Sequence, residues 1–322
     1  KDVPYILCLM VLMLDLWEFA ETKGEELLST RHAVELLLCA LLVIMIRNNG
    51  VYFIVLAIPV CLFIAPKRWK QVLLCLLVPV LFYHFIWMGL LMPAWKVAPG
   101  GRQEGIGFAF QMTARYVQEH EADVTEEEKE IIGKLLPYEE LTSLYSPEIT
   151  DPVKYRFRQS ATDEEVKDYL KLWVRMFFRH PDSYIQSSLN IAYKMFDLGQ
   201  FVRPCYYQWT NKMDKSDELY ADNLFVSSGT VKKLRSLDRV LWNIPGFGLI
   251  LNVAAYFWLS ILSVVEIIRK RRYRFLAALL PVLLTEVMMF VAPTVSGRYM
   301  MPLVFSAVEV IWLTVYVGGK MN

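Results

Sequence analysis

Seven apolar stretches flank one long polar segment, and this pattern limits the chain to a fold that crosses a membrane several times. A helix needs about 20 apolar residues to cross a hydrocarbon layer roughly 30 Å thick, and the stretches come near that length. Hydrophobic residues make up 55% of the 322 positions, which leaves little polar surface for a soluble protein. The stretches are residues 3–20, 32–46, 51–65, 71–92, 250–268, 275–291 and 299–317.

The basic residues in the short connections predict the orientation of these helices. One cluster, at 67–70, joins the third and fourth stretches, and another, at 269–274, joins the fifth and sixth. Lys and Arg accumulate in cytoplasmic connections, so both clusters are expected on the cytoplasmic side. The two agree because an even number of crossings separates them. Alternating crossings then place the polar segment outside, together with the turns at 47–50 and 293–298.

The sequence therefore predicts an all-α polytopic membrane protein in three parts. Residues 1–93 hold helices one to four, residues 94–248 form an extracytoplasmic α-rich domain, and residues 249–322 hold helices five to seven. Within the domain, the Thr125–Glu128 and Thr162–Glu165 spacings are typical of capping boxes that open helices. Asp182, which follows Pro181, is expected to cap a further helix. No useful run of alternating residues predicts a strand.

Charge and cysteine placement narrow the partners. Most acidic residues fall in the polar segment, which argues against a nucleic-acid partner, and the lipid bilayer is the expected environment. We expect a multi-pass protein of the cell membrane. Position 1 is Lys, and no signal peptide precedes the first stretch, so we expect a C-terminal part of a longer protein. Four cysteines lie within the apolar stretches, which predicts small packing residues rather than a disulfide framework: Cys8, Cys39, Cys61 and Cys75.

Two arginines are expected at the outer ends of helices. Arg47 precedes Asn48, Asn49 and a glycine in a tight turn, and Arg298 precedes Tyr299 at the start of the last stretch. A guanidinium group forms paired hydrogen bonds with phosphate, so both positions suit a lipid phosphate. A simpler alternative is an arginine that only extends toward the interface. Asp2 is the one acid expected at the same rim, where it could act as a base or metal ligand or simply be solvated.

The polar segment offers a second group of polar residues. Gln111 and Arg115 share one face of a predicted helix at a spacing of four, and His120 follows. His180, before Pro181, is interpreted as structural. The sequence has no zinc-site spacing, no P-loop and no nucleophile elbow, so no metal ligands are predicted. The aromatic run at 206–209 could stack on a sugar or lie at the membrane surface.

Three ionisable residues are expected deep within helices: His84, Glu286 and Glu309. Such groups are costly in hydrocarbon and usually face partners. They could line a proton or substrate path, or form hydrogen bonds between helices. We favour the second interpretation.

Four short stretches together support a family resemblance. They are Lys1-Asp2 before the first helix, Arg47-Asn48-Asn49-Gly50, residues 111–116 (Gln-Met-Thr-Ala-Arg-Tyr), and Ser296-Gly297-Arg298-Tyr299. With these stretches, nearly the whole chain resembles bacterial polytopic proteins grouped with the GT-C glycosyltransferases, and in particular an uncharacterised branch found mainly in Gram-positive bacteria. The resemblance implies use of a polyprenyl-phosphate-linked sugar at the extracytoplasmic face. It also implies a catalytic acid on the first external loop, which here falls before residue 1.

The leading expectation is therefore a membrane glycosyltransferase that moves a sugar from a polyprenyl-phosphate donor onto a cell-surface glycan or polymer. Arg47 and Arg298 are expected to bind the donor phosphate, and Asp2 is the residue nominated as catalytic base. The resemblance leaves room for a divalent metal cofactor. Two alternatives stay open: a flippase or exporter of a lipid-linked sugar, and a non-enzymatic scaffold for wall assembly. The other expected substrate-binding residues are Asn48, Asn49, Gln111, Arg115 and Tyr299.

Overall fold

The computed structural model describes residues 2–98, 100–199 and 252–319 and scattered positions between 233 and 250. Within these residues the chain forms helices joined by turns and short irregular connections, without strands. The predicted all-α fold is confirmed for this part of the chain. The principal helices are α1 (Asp2–Thr22), α2 (Thr30–Ile46), α3 (Gly50–Ile64), α4 (Pro66–Ala94), α5 (Gln103–His120), α6 (Glu126–Leu135), α7 (Asp163–Arg179), α8 (Pro181–Phe196), α9 (Val253–Arg269), α10 (Leu276–Met289) and α11 (Gly297–Gly319). The run α4 includes turns of wider π-helix, and α11 is interrupted at Ser306.

Three helices are long and apolar enough to cross a membrane. They are α1 with 21 residues, α4 with 29 and α11 with 23, while α3 is apolar but shorter. At 1.5 Å per residue, a 21-residue helix is roughly 30 Å long, which matches the hydrocarbon layer. The chain is therefore a membrane protein by the length and composition of these helices. The count of seven crossings stays a prediction.

Helix α1 lies at the centre of the apolar bundle because two of its faces are buried. Leu9 and Leu16 belong to the buried cluster that includes residues of α2 and α3, whereas Met13 and Ala20 belong to the cluster that includes residues of α9, α10 and α11. Residues seven apart, such as Met13 and Ala20, return to the same face of a helix after two turns. The first helix thus joins the two apolar clusters, and the ends of the chain pack against each other.

Both basic connections lie at the same end of the bundle. Arg68, in the first turn of α4, forms an ion pair of 2.6 Å with Glu25, which follows α1. Arg274, between α9 and α10, lies 3.8 Å from Glu21 in the last turn of α1. The two clusters therefore meet around the connection between α1 and α2.

The polar segment has its own core around α5. Phe110 and Tyr116 of α5 are buried against Tyr169 and Met176 of α7. Both predicted capping boxes are present, at the starts of α6 and α7. The predicted cap at Asp182 is wrong: α8 begins at Pro181, so Asp182 lies inside its first turn. Proline suits the first helical position because it lacks the amide hydrogen that would be unpaired there.

The polar segment joins the bundle at the end opposite the basic connections. The amide of Thr150 donates to the carbonyl of Pro293, just beyond α10, at 2.8 Å. Trp258 in α9 donates to the carbonyl of Phe196 at 2.9 Å. Met195 at the end of α8 is buried in the same apolar cluster as α9 to α11. Helix α10 therefore runs from the basic end to the end that carries the polar segment.

The start of α3 tests this packing, because a β-carbon added at Gly50 would lie 2.1 Å from the carbonyl oxygen of Val43. That oxygen belongs to the α2 backbone, so it cannot move away without a shift of the helix. We expect Gly50→Ala to destabilise the full-length protein by about 1–3 kcal/mol, as overpacking does. Thermal unfolding in detergent measures the effect.

Gly133→Ala in α6 is the matched control, because the added methyl group there meets only open space. It should leave stability unchanged or raise it by up to about 1 kcal/mol, since alanine favours a helix over glycine. Equal stability of the two variants would contradict the close approach of α2 and α3.

Candidate functional site

Asp2 joins the two arginines that the sequence singled out. Its Oδ2 accepts a hydrogen bond of 2.6 Å from Nε of Arg298, and its Oδ1 lies 3.7 Å from Nη2 of Arg47. These residues are far apart along the chain yet share one carboxylate. The structure therefore brings together Asp2, Arg47 and Arg298, at the end of the bundle that carries the polar segment. This group is called the rim cluster below.

The helix ends position each member of the rim cluster. Asp2 is the first residue of α1, Arg47 follows the last residue of α2, and Arg298 is the second residue of α11. A helix carries partial positive charge at its start and partial negative charge at its end, which favours Asp2 and Arg47 where they stand. Arg298 at a helix start lacks that support, and the hydrogen bond to Asp2 offsets it.

The rim cluster carries one positive charge in excess, from two guanidinium groups and one carboxylate. Arg47 is only 17% exposed, whereas Arg298 is 48% exposed. Within the described residues Arg47 donates no hydrogen bond, although its guanidinium lies 5.3 Å from the centre of the Tyr5 ring and 5.5 Å from that of Tyr299. The largely buried Arg47 therefore has donors available for an anion.

A small, partly open cavity of about 30 Å³ lies beside Arg47. Asn49 and Tyr299 contribute polar atoms to its wall, and Met288 and Met289 of α10 contribute apolar surface. The space is large enough for water only, so a phosphate has to bind at the open rim or widen it. Asn48 does not line this cavity; its Oδ1 accepts a hydrogen bond of 3.0 Å from Tyr83 and so ties α4 to the turn.

A second cavity lies where the polar segment meets α10. It is small, about 10 Å³, and Phe290 belongs to its wall. Gln111, Thr150 and Ser187 also line it, and each has a buried side-chain oxygen without a hydrogen-bond partner in the described residues. The three residues are at most 2% exposed. Unpaired buried polar atoms are uncommon, so this cavity is suited to water or a ligand hydroxyl.

Arg115 does not share the cavity that Gln111 lines. Its guanidinium donates to Glu119 at 2.7 Å and to the Tyr145 hydroxyl at 3.2 Å, and a third bond reaches Gln186 on α8. Burial lowers the pKa of Arg115, but the hydrogen bonds to Glu119 and Tyr145 raise it by more, so the pKa lies above its usual value. These contacts give Arg115 a structural role between α5 and α8, and its part in substrate binding stays a prediction.

Within the described residues, no hydrogen bond or ion pair connects His84, Glu286 and Glu309 with one another. Glu286 is buried and accepts a hydrogen bond from Ser260, which agrees with bonding between helices. His84 is exposed on α4 beside Phe85, and no hydrogen bond or ion pair links it with Glu309 within the described residues. This arrangement does not form a continuous polar path. The aromatic run at 206–209 lies outside the residues that the structure describes.

Sequence reasoning missed Tyr5, Thr150 and Ser187. Tyr5 could have been found, because it lies one helical turn after Asp2 and therefore on the same face of α1. Thr150 and Ser187 carry no such signal. They meet only because α8 and the turn before Asp151 pack against α5.

The chain belongs to DUF6020, described as a family of unknown function, which it matches over residues 5–318. That match includes Arg47, Gln111, Arg115, Arg298 and Tyr299, while Asp2 lies just before it. No curated protein and no solved structure matches the chain.

The bond between Asp2 and Arg298 can be tested by a double-mutant cycle with Asp2→Asn, Arg298→Gln and both together. Because Arg298 is half-exposed, solvent weakens the pair, and we expect a coupling free energy of about 0.5–1 kcal/mol. Thermal unfolding in detergent, at low and high salt, gives the coupling. Strictly additive effects would contradict the contact between the two ends of the chain.

Proposed function

We propose that this member of the DUF6020 family is a membrane glycosyltransferase that moves a sugar from a polyprenyl-phosphate donor onto a cell-surface glycan or polymer. The observation that carries the proposal is the rim cluster, where two guanidinium groups share one carboxylate and leave a net positive charge. Arg47, largely buried and without a hydrogen bond to any other described residue, binds the donor phosphate. Arg298, more exposed, approaches the phosphate from the rim.

The proposed orientation places this chemistry at the outer face of a multi-pass protein of the cell membrane. Both basic connections meet at one end of the bundle, and the positive-inside rule makes that end cytoplasmic. The rim cluster and the polar segment lie at the other end. In this arrangement all seven apolar stretches cross the bilayer, and a lipid phosphate in the outer leaflet lies level with Arg47.

In the proposed reaction an acceptor hydroxyl attacks the anomeric carbon of the sugar while the bond from that carbon to the phosphate oxygen breaks. The electron pair leaves with the phosphate, where the positive charge of Arg47 and Arg298 stabilises it. The hydroxyl proton passes to a base. The sequence nominated Asp2, but two guanidinium groups at its oxygens make this carboxylate a weak base and a poor metal ligand. The geometry favours Asp2 as the residue that positions both arginines.

The second cavity supports the acceptor side of the proposal. The side-chain oxygens of Gln111, Thr150 and Ser187 have no partner among the described residues. They are uncharged and suit a hydroxyl group of a sugar. Met288 and Met289 line the cavity at the rim cluster, and Phe290 lines this one, so consecutive residues connect the two. At about 10 Å³ the cavity has room for a single hydroxyl group, so the acceptor binds at its open side, next to the donor site.

Replacement of Arg47 tests the donor site. In the full-length protein, Arg47→Gln should lower sugar transfer from a polyprenyl-phosphate donor by about 100-fold or more, because one missing donor to a developing anion costs that much. Arg47→Lys should keep part of the activity, since it keeps the charge but loses the planar pair of donors. Binding at the donor site is measured with labelled polyprenyl phosphate, and uncharged polyprenol serves for comparison.

Lys67→Gln is the matched control, because it removes one exposed cation from the basic end of the bundle. It should leave transfer and phosphate binding unchanged. Unaltered transfer in both Arg47→Gln and Arg298→Gln would remove their proposed roles. Binding and transbilayer movement of the lipid-linked sugar without bond formation would favour the flippase instead.

Replacement of Ser187 tests the acceptor site. Its hydroxyl has no partner among the described residues, so Ser187→Ala should not lower the free energy of unfolding. It should instead raise the KM for the acceptor by roughly tenfold, as the loss of one hydrogen bond of about 1.5 kcal/mol does. Ser143→Ala, at an exposed serine of the same segment, serves as control. An unchanged acceptor KM would contradict the assignment.

A further inference from the structure

Three side chains of types that bind metal ions lie together in the polar segment, away from the rim cluster. His120 ends α5, Asp123 lies in the short turn Glu121–Asp123 that follows, and His180 lies between α7 and α8. One ligand atom from each residue can be chosen so that all three lie within 4.8 Å of one another. Two imidazoles and one carboxylate form a ligand set typical of zinc.

The distances between these groups are close to those of a coordination shell. Nε2 of His180 lies 2.8 Å from Oδ2 of Asp123, and the rings of His120 and His180 are stacked with their centres 3.7 Å apart. Around a tetrahedral zinc ion with bonds of about 2.0–2.1 Å, neighbouring ligand atoms lie roughly 3.3 Å apart. The ligand atoms of the three residues are thus already close to the separations that one shared ion requires.

The charged neighbour Arg179 is already paired and so does not exclude a cation at this position. Arg179, next to His180, is held by two hydrogen bonds to the carboxylate of Glu128, one of them 2.8 Å long, so its charge is balanced. It also donates to the backbone carbonyl of Asp123 at 2.7 Å, which fixes the turn that carries the ligand.

We propose that His120, Asp123 and His180 bind a divalent transition metal of the zinc type, with the fourth position taken by water. The side chain of Asp123 is 50% exposed, which leaves an entry path from solvent. The metal connects the end of α5 to the corner between α7 and α8. It thereby stabilises the polar segment independently of the proposed sugar transfer, and neither proposal depends on the other.

The test uses the full-length protein in detergent, stripped with a chelator and then titrated with Zn²⁺ against a competing indicator. One Zn²⁺ should bind per chain and raise the temperature of thermal unfolding. Co²⁺ should bind at the same stoichiometry and give visible absorption bands typical of four ligands. His120→Gln and Asp123→Asn should each weaken Zn²⁺ binding by more than about tenfold.

Two control variants change the same residue types elsewhere. His84→Gln removes an exposed histidine of α4, and Asp182→Asn removes an exposed acid close to His180 that is outside the cluster. Both should bind Zn²⁺ as the unsubstituted protein does. Helicity and size-exclusion profiles of each variant are measured before titration, and Asp123→Asn keeps a hydrogen-bonding group beside His180, so a loss of binding is separated from a loss of folding.

Two results would overturn the metal site. One is the absence of saturable binding at one Zn²⁺ per chain. The other is Zn²⁺ binding that is equally strong in His120→Gln, Asp123→Asn and the unsubstituted protein, which would show an adventitious ion only.

Discussion

One carboxylate contacts two guanidinium groups where the first and last helices described meet. Asp2 is the first residue of α1, Arg298 lies in the first turn of α11, and Arg47 directly follows α2, so three helix ends meet in one cluster. The apolar packing of α1 against both halves of the bundle makes this possible, because it puts the start of α1 between α2 and α11. The excess of one positive charge, partly shielded from water, is the property on which the proposed phosphate site depends.

Two cavities and the polar segment lie around that charge. Met289 lines the cavity at Arg47, and the next residue, Phe290, lines the cavity at Gln111, so the two cavities meet at the end of α10. Among the described residues, the first cavity has a cation that donates no hydrogen bond, and the second has uncharged oxygens without hydrogen-bond partners. A phosphate needs a cation with hydrogen-bond donors, and a hydroxyl group needs an uncharged acceptor. The two neighbouring cavities offer one of each, which is why we propose a transfer between a lipid-linked donor and a glycan acceptor.

Local signals predicted much of the fold. The capping boxes at Thr125 and Thr162 fix helix starts through residues three positions apart, and both are present. The cap at Asp182 was wrong, because Pro181 already supplies a favourable first helical position. The convergence of Arg47 and Arg298 was expected from the alternation of helices. The bond from Arg298 to Asp2, the oxygens of Thr150 and Ser187, and the approach of His180 to Asp123 depend on tertiary packing, for which the sequence gives no local pattern.

The most direct measurement of the central claim is an electron cryo-microscopy structure of the full-length protein in lipid nanodiscs with bound polyprenyl phosphate. The predicted result is phosphate density within hydrogen-bonding distance of the Arg47 guanidinium, with Arg298 on its exposed side. The polar segment should lie in the same leaflet as the phosphate. Density for the phosphate elsewhere in the protein, with Arg47 bound to Asp2 alone, would contradict the account.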